Sequence, residues 1–308
     1  MGQRPDAVHV RAPGKINVYL GVGPRHDDGY HSLATVFQAV SLYEDVYASA
    51  AAGFTLEVDG EVDVSGVPLD DRNLAMRAAK LLAQTAGVDA GVHLRIRKGV
   101  PVAGGMGGGS ADAAAALVAC DALWGTELGA HRLHALAARL GADVPFALHG
   151  GTAVGAGRGD ELTPALARGR FDWVLVLSEQ GLSTPEVYGR LDQLRAQEGA
   201  VADDPPMSLD VPLAVLHALR AGDARELAPA LLNDLEAAAV IDRPDLGATL
   251  IDGIRFGALG GLVSGSGPTI ALLCESPEHA RAVQDQLLGT GRRALHVHGP
   301  VPGARLVG

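Results

Sequence analysis

Residues 101–112, PVAGGMGGGSAD, set Gly104, Gly105, Gly107, Gly108 and Gly109 directly ahead of a helix-favouring run that begins at Ser110. Glycines admit positive φ and let a backbone close on a ligand, so several N–H groups can face one anion. A helix N-terminus adds the positive end of its dipole at the same place, and the two together make a phosphate cradle. The segment fits neither the P-loop, since no Lys-Ser or Lys-Thr follows the glycines, nor the dinucleotide GxGxxG spacing. A flexible surface hairpin is the other reading of so much glycine; the strand before it and the helix after it favour the cradle.

Phosphoryl chemistry on an alcohol also needs a cation for the moving charge and a group that orients or deprotonates the hydroxyl. Of the 25 basic residues only Lys15, Lys80 and Lys98 are lysines. Lys15 lies on the polar side of an alternating run, where a compact point charge in an arginine-rich chain suggests a site; a snorkelling surface lysine is the competing reading. Asp143, in GADVPF, is a candidate for the hydroxyl, and an N-cap ahead of Pro145 is its alternative. Ser110 serves as a helix cap, as a hydroxyl reaching phosphate or Mg²⁺, or as both. Asp112 complements the helix dipole and is read as structural.

These residues require particular elements. Val8 to Val22 reads as two short strands with a turn at Ala12, Pro13 and Gly14; in the second, Ile16, Val18 and Leu20 alternate with Lys15, Asn17 and Tyr19. Val92, Leu94 and Ile96 define a half-buried strand that ends at Lys98 and Gly99. The helix from Ser110 stops at Gly125, and a second one, carrying Leu133, Leu136, Ala137 and Leu140 on one face, stops at Gly141. Over residues 155–170 the composition turns to Gly, Arg and Pro, which places the boundary between units 1–165 and 166–308. In the second unit Trp173 to Leu177 reads as a buried strand, residues 199–209 as a loop, and Leu213 to Leu219 and Leu227 to Leu235 as helices. Thr269 to Cys274 and Ala294 to His298 read as strands flanking a helix from Pro277 to Leu288, an α+β arrangement.

The whole chain sets bounds. Its 308 residues, 47% hydrophobic and 20% charged, suit two packed domains. A formal charge of −11 offers no basic surface for a nucleic-acid backbone. No apolar run approaches the length of a membrane span and the first residues lack a signal-peptide core, so the expectation is a cytoplasmic protein without a membrane partner. Cys120 and Cys274 make neither a disulfide framework nor a metal cluster and are expected to be buried small hydrophobes.

Three segments, RAPGKINVYLGV (residues 11–22), PVAGGMGGGSADAAAAL (101–117) and GGLVSGSGPTIA (260–271), resemble in order the three signature motifs of the GHMP kinases. HDDGYHSL (26–33) and LGADVPF (140–146) resemble the branch of that family whose acceptor is a cytidyl-diphosphate polyol. The resemblance implies an α+β, α/β two-domain fold: an N-terminal ATP-binding domain of the ribosomal S5 domain 2-like kind and a C-terminal ferredoxin-like domain. It implies transfer of the ATP γ-phosphate, with Mg²⁺, to the 2-hydroxyl of 4-diphosphocytidyl-2-C-methyl-D-erythritol, by a monomer or homodimer acting on small molecules.

By motif position the resemblance makes Lys15 and Asp143 the catalytic pair and wraps ATP phosphates with Pro101, Val102, Ala103, Gly104, Gly105, Met106, Gly107, Gly108, Gly109, Ser110 and Ala111. Asn73 falls on the adenine side. Asn17, Thr184, Gly265 and Ser266 face the acceptor, with Tyr30 and His31 as the cytosine-recognising pair and Tyr188 on the other face of the base. The family's usual basic residue shortly after the catalytic aspartate has no counterpart at Leu148 and His149. A GHMP kinase for homoserine, mevalonate or a sugar is one alternative, for which DDGYH discriminates because those acceptors carry no base. A non-catalytic nucleotide-binding regulator is another; it would be favoured if Lys15 and Asp143 lay apart.

Overall fold

The computed structural model describes residues 7–178, 180–197 and 209–307. Nearly all of the segment expected to be a loop at 199–209 lies outside the described residues. The N-terminal half opens with β1 (Ala7–Arg25), β2 (His31–Ala51), β3 (Phe54–Gly60), α1 (Leu74–Ala86), β4 (Gly91–Lys98), α2 (Gly108–Trp124), α3 (Gly129–Leu140) and α4 (Val144–His149). It continues through β5 (Thr152–Ala156) and β6 (Glu161–Pro164). Then follow β7 (Phe171–Leu177), α5 (Thr184–Gln197), α6 (Leu213–Ala221), α7 (Ala224–Leu227), β8 (Leu232–Asn233), α8 (Glu236–Asp242) and α9 (Pro244–Arg255). The chain closes with β9 (Gly260–Val263), β10 (Ile270–Cys274), α10 (Pro277–Gly289), β11 (Arg293–Gly299) and β12 (Arg305–Leu306).

The larger sheet runs β12-β1-β2-β4-β3, with β5 and β6 extending from β2 and β8 alongside β1. Its first face carries Val10, Val46, Leu94 and Ile96 against α1, α2, α3 and α4. Helix α2 is buried almost all round, and its alanines are small enough for the sheet and three helices to close on it at once. The smaller sheet, β11-β7-β10-β9, is antiparallel throughout. Strand β7 reads as unbroken apolar sequence because both its faces are covered: Phe171, Trp173 and Leu175 join the β1–β2 residues Ile16, Val18 and Val36, while Val174 and Val176 pack under α5, α8 and α10. The Trp173 indole donates to Gln38 Oε1 of β2 at 2.9 Å across that junction. Both cysteines are buried, and among the described residues no helix is long and apolar enough to cross a membrane.

Three expectations are corrected. Residues 8–22 form one strand, with a register shift between Pro13 and Gly14 in place of a turn. A bulge absorbs the proline, and Gly14 lets Val100 pack tightly where a side chain would stand. Helix α2 begins at Gly108 with Gly107, at φ 70°, as its cap residue, so Ser110 is not the cap. Leu227 to Leu235 is not a helix: α7 ends at Leu227, a 3₁₀ turn with Pro229 follows, and β8 pairs with β1. Proline lacks the N–H that would continue the helix, and Asn233 is held instead by donating at 2.7 Å to the carbonyls of Val263 and Gly265.

Candidate active site

Strands β1 and β2 bring Lys15, Asn17 and Phe37 to one wall of a cleft of about 550 Å³, with Thr35 buried behind them. The amide of Asn17 is oriented by donating to Thr35 Oγ1 at 2.8 Å, and that hydroxyl donates to the Tyr19 carbonyl at 2.7 Å. Asn17 Oδ1 therefore faces Lys15 and accepts from its Nζ at 2.8 Å. The ammonium also lies 5.0 Å from the centre of the Phe37 ring. Asp143, at the entry to α4, makes no capping bond, and its Oδ2 stands 3.7 Å from Lys15 Nζ. Asp143 thus takes the N-cap position of α4, as its alternative reading expected, but its side chain stays out of the cap, and the two residues singled out for catalysis meet inside one cleft.

The glycine loop closes the next wall. Lys15 N–H donates to the Met106 carbonyl at 2.9 Å, tying the loop to β1. Gly107 has φ 70°, and a Cβ there would stand 3.3 Å from Lys15 Cγ and 3.7 Å from Asp143 Oδ2, so the loop, the cation and the carboxylate share one corner. Gly105 has φ 76°, and a Cβ there would lie 2.2 Å from the Ser264 carbonyl. The second and third signature segments therefore touch through backbone. Pro101 to Gly109 line the cleft, whereas Ser110 and Ala111 do not; the opening N–H groups of α2 remain free of intrahelical partners.

At one end, Val67, Pro68, Leu74, Pro101 and Val102 form an apolar slot with polar groups at its floor. Asn73 lines it, but its side chain is already used, accepting from Ala75 N–H at 2.9 Å as the cap of α1 and donating to the Pro68 carbonyl at 3.0 Å. Beneath lies a buried triad: Lys98 Nζ is 2.7 Å from Glu44 Oε1 and 2.5 Å from Asp112 Oδ2, and Glu44 Oε2 accepts from Gly99 N–H at 2.9 Å. Burial, reinforced by the Asp112 charge, pushes Glu44 up to about 8, and burial likewise raises Asp112. Burial opposes the Lys98 ammonium, but the neighbouring carboxylates outweigh it and hold its pKa above the ordinary lysine value.

At the other end, Thr184, Tyr188, Gly265 and Ser266 line the cleft, and the Thr184 and Ser266 hydroxyls are 2.8 Å apart. Burial, with Asp143 nearby, pushes the Tyr188 phenol up to about 12, so it stays protonated. His31 and Tyr30 line an adjoining pocket of about 280 Å³. The His31 ring lies 5.1 Å from that of Tyr188 and shares a hydrogen bond of 2.8 Å with Asp192, so it sits between the two cavities. Tyr30 is 57% exposed, and the Arg158 guanidinium covers its ring at 4.1 Å.

The cleft also contains Phe37, Lys98, Arg72 and Arg158, which sequence reasoning passed over. Lys98 carried a signal, being one of the three lysines. Glu44 carried none, because a glutamate in a polar-flanked strand reads as solvated.

Comparison with known proteins shows the family. Residues 73–151 match the family model for the GHMP kinases N terminal domain, and residues 215–292 that for the GHMP kinases C terminal. The chain is 56% identical over 303 residues, 98% of its length and 99% of the relative's, to 4-diphosphocytidyl-2-C-methyl-D-erythritol kinase of Leifsonia xyli subsp. xyli. It is 56% identical over 306 residues to that of Arthrobacter sp. strain FB24, covering 97% of this chain and 95% of the other. A crystal structure of 4-(cytidine 5′-diphospho)-2C-methyl-D-erythritol kinase superposes with a TM-score of 0.75 at 35% identity, covering 94% of this chain and 99% of that one. With both family segments matched in order and full-length relatives above half identity, the chain belongs to the GHMP kinases, in the family of 4-diphosphocytidyl-2-C-methyl-D-erythritol kinases.

Proposed function

We propose that this chain transfers the γ-phosphate of ATP to the 2-hydroxyl of 4-diphosphocytidyl-2-C-methyl-D-erythritol, a step of the non-mevalonate isoprenoid route. The observation that carries the reading is the shared corner of Lys15, Asp143 and the glycine loop, where Asp143 Oδ2 and Lys15 Nζ are 3.7 Å apart beside Gly107. ATP phosphates lie along residues 101–109 and its base in the slot near Asn73. The acceptor hydroxyl lies against Asp143, which orients it and receives its proton. Because such a transition state is loose, placement of that hydroxyl carries most of the catalytic effect. Lys15, anchored by Asn17, lends positive charge to the oxygens of the phosphoryl group in flight. Tyr188 and His31 form the wall against which the cytidyl end lies, with Tyr30 at the mouth.

The cleft carboxylates Asp112 and Asp143 each face a lysine ammonium, and Ser110 is off the lining, so these donors do not assemble a Mg²⁺ site on the protein. In the reaction Mg²⁺ would come with ATP, supplying positive charge to its phosphates. We also propose the division at residues 165 and 166, with β8 and β12 returning to the first sheet, and action in the cytoplasm as a monomer or homodimer. The test is ATP consumption by the purified chain with Mg²⁺ and one of four acceptors: the cytidyl compound, mevalonate, homoserine or galactose. Turnover with the cytidyl compound alone is expected; turnover with another acceptor in its place would overturn the reading, and ATP binding without any turnover would favour a regulator.

A further inference from the structure

Among the described residues Arg158 is the one on the linings of both the main cleft and the adjoining pocket that holds Tyr30 and His31. It sits in the turn between β5 and β6, where its N–H donates to Asp160 Oδ1 at 3.1 Å. Its guanidinium reaches across to the β1–β2 turn, donating to Asp28 Oδ2 at 2.5 Å and covering the Tyr30 ring. Both partners of that ion pair are about half exposed, 54% for Arg158 and 50% for Asp28, so the pair is weak and exchangeable.

The adjoining pocket is lined by the carboxylates of Asp28, Asp160 and Glu161. Its two histidines are occupied, His26 with Ser32 at 2.7 Å and His31 with Asp192 at 2.8 Å. At the phosphoryl end Lys15 is engaged by Asn17 and Asp143. A ligand with a base beside His31 and a hydroxyl at Asp143 must carry its diphosphate between the two cavities. There an acidic rim repels it; Arg25 stands by Asp192 at 3.8 Å, and the Arg158 guanidinium belongs to the residue that lines both cavities. The planar fork of an arginine suits paired phosphate oxygens.

We infer that Arg158 binds the diphosphate of the acceptor, leaving Asp28 for it when the acceptor enters, and so supplies the cation that the segment after Asp143 lacks. This role rests on the cytidyl reading of the site. It makes Asp28 a competitor that holds the guanidinium over Tyr30 until a diphosphate displaces it.

The test is equilibrium binding of cytidine and of cytidine diphosphate to the full chain and to its Arg158→Gln and Asp28→Asn variants. Both substitutions are at exposed turns and leave the core untouched. Loss of a charge-assisted pair weakens binding by roughly 10- to 100-fold. Arg158→Gln should therefore raise the Kd of the diphosphate by at least about tenfold while that of cytidine stays within about twofold. Asp28→Asn should leave the diphosphate bound as tightly or more so. An equal rise for both ligands would show that Arg158 only props Tyr30, and an unchanged diphosphate Kd would show that it binds nothing; either overturns the inference alone. Failure of the unaltered chain to bind either ligand would overturn the cytidyl reading itself.

Discussion

The buried triad makes a quantitative prediction about pH. Glu44 is 0% exposed, with Oε1 facing Lys98 and Oε2 facing Gly99 N–H, and its pKa of about 8 in the folded chain stands well above that of a solvated glutamate, about 4.3. Between those values the unfolded chain has released this proton and the folded chain has kept it. Stability then falls as pH rises, by up to about 1.4 kcal/mol per pH unit for one proton, and by on the order of 4 kcal/mol from pH 5 to pH 8. Below about pH 4 the contribution is complete, and above the folded value it is gone. In Glu44→Gln the proton can no longer be lost, so this slope should vanish whatever the absolute stability of the variant. Urea titrations at half-unit intervals from pH 5 to pH 8.5 on both chains measure the difference, and groups outside the triad cancel. Parallel profiles would refute the reasoning and place the proton elsewhere. The outcome bears on function because Lys98 and Asp112 line the cleft, and Glu44 Oε1 would lie 2.8 Å from a Cβ on Gly108.

Asp143→Ala should lower kcat by at least about 10²-fold with ATP affinity largely kept, as judged by steady-state kinetics; near-normal turnover would remove it from the mechanism. Tyr30→Ala should raise KM for the cytidyl acceptor more than for ATP, and an unchanged acceptor KM would leave that ring without a part in recognition. Gly105→Ala places a side chain at φ 76° and 2.2 Å from the Ser264 carbonyl, backbone that cannot step aside. It should cost at least about 2 kcal/mol in a urea titration and raise KM for ATP; wild-type values would mean that the loop and the third motif are free to part.

Elements with a strong local signal were legible in the chain itself. The glycines ahead of α2, the alternation of Lys15 and Asn17 with Ile16 and Val18, the apolar face of α3 and the glycine stops at Gly125 and Gly141 each follow from backbone freedom or from periodicity. Those properties depend only on near neighbours in sequence. Tertiary structure alone decided that residues 8–22 stay one strand, because β2 pairs along the whole length and a bulge costs less than ending the ladder. It alone turned the side chain of Asp143, the N-cap residue of α4, toward Lys15 and away from the cap, since that choice depends on β1, far earlier in the chain. Glu44 and Arg158 were invisible for the same reason. A charged side chain in a sequence reads as solvated, and only its neighbours in space, Lys98 and Asp112 for the one, Asp28 and Tyr30 for the other, say what its charge is for.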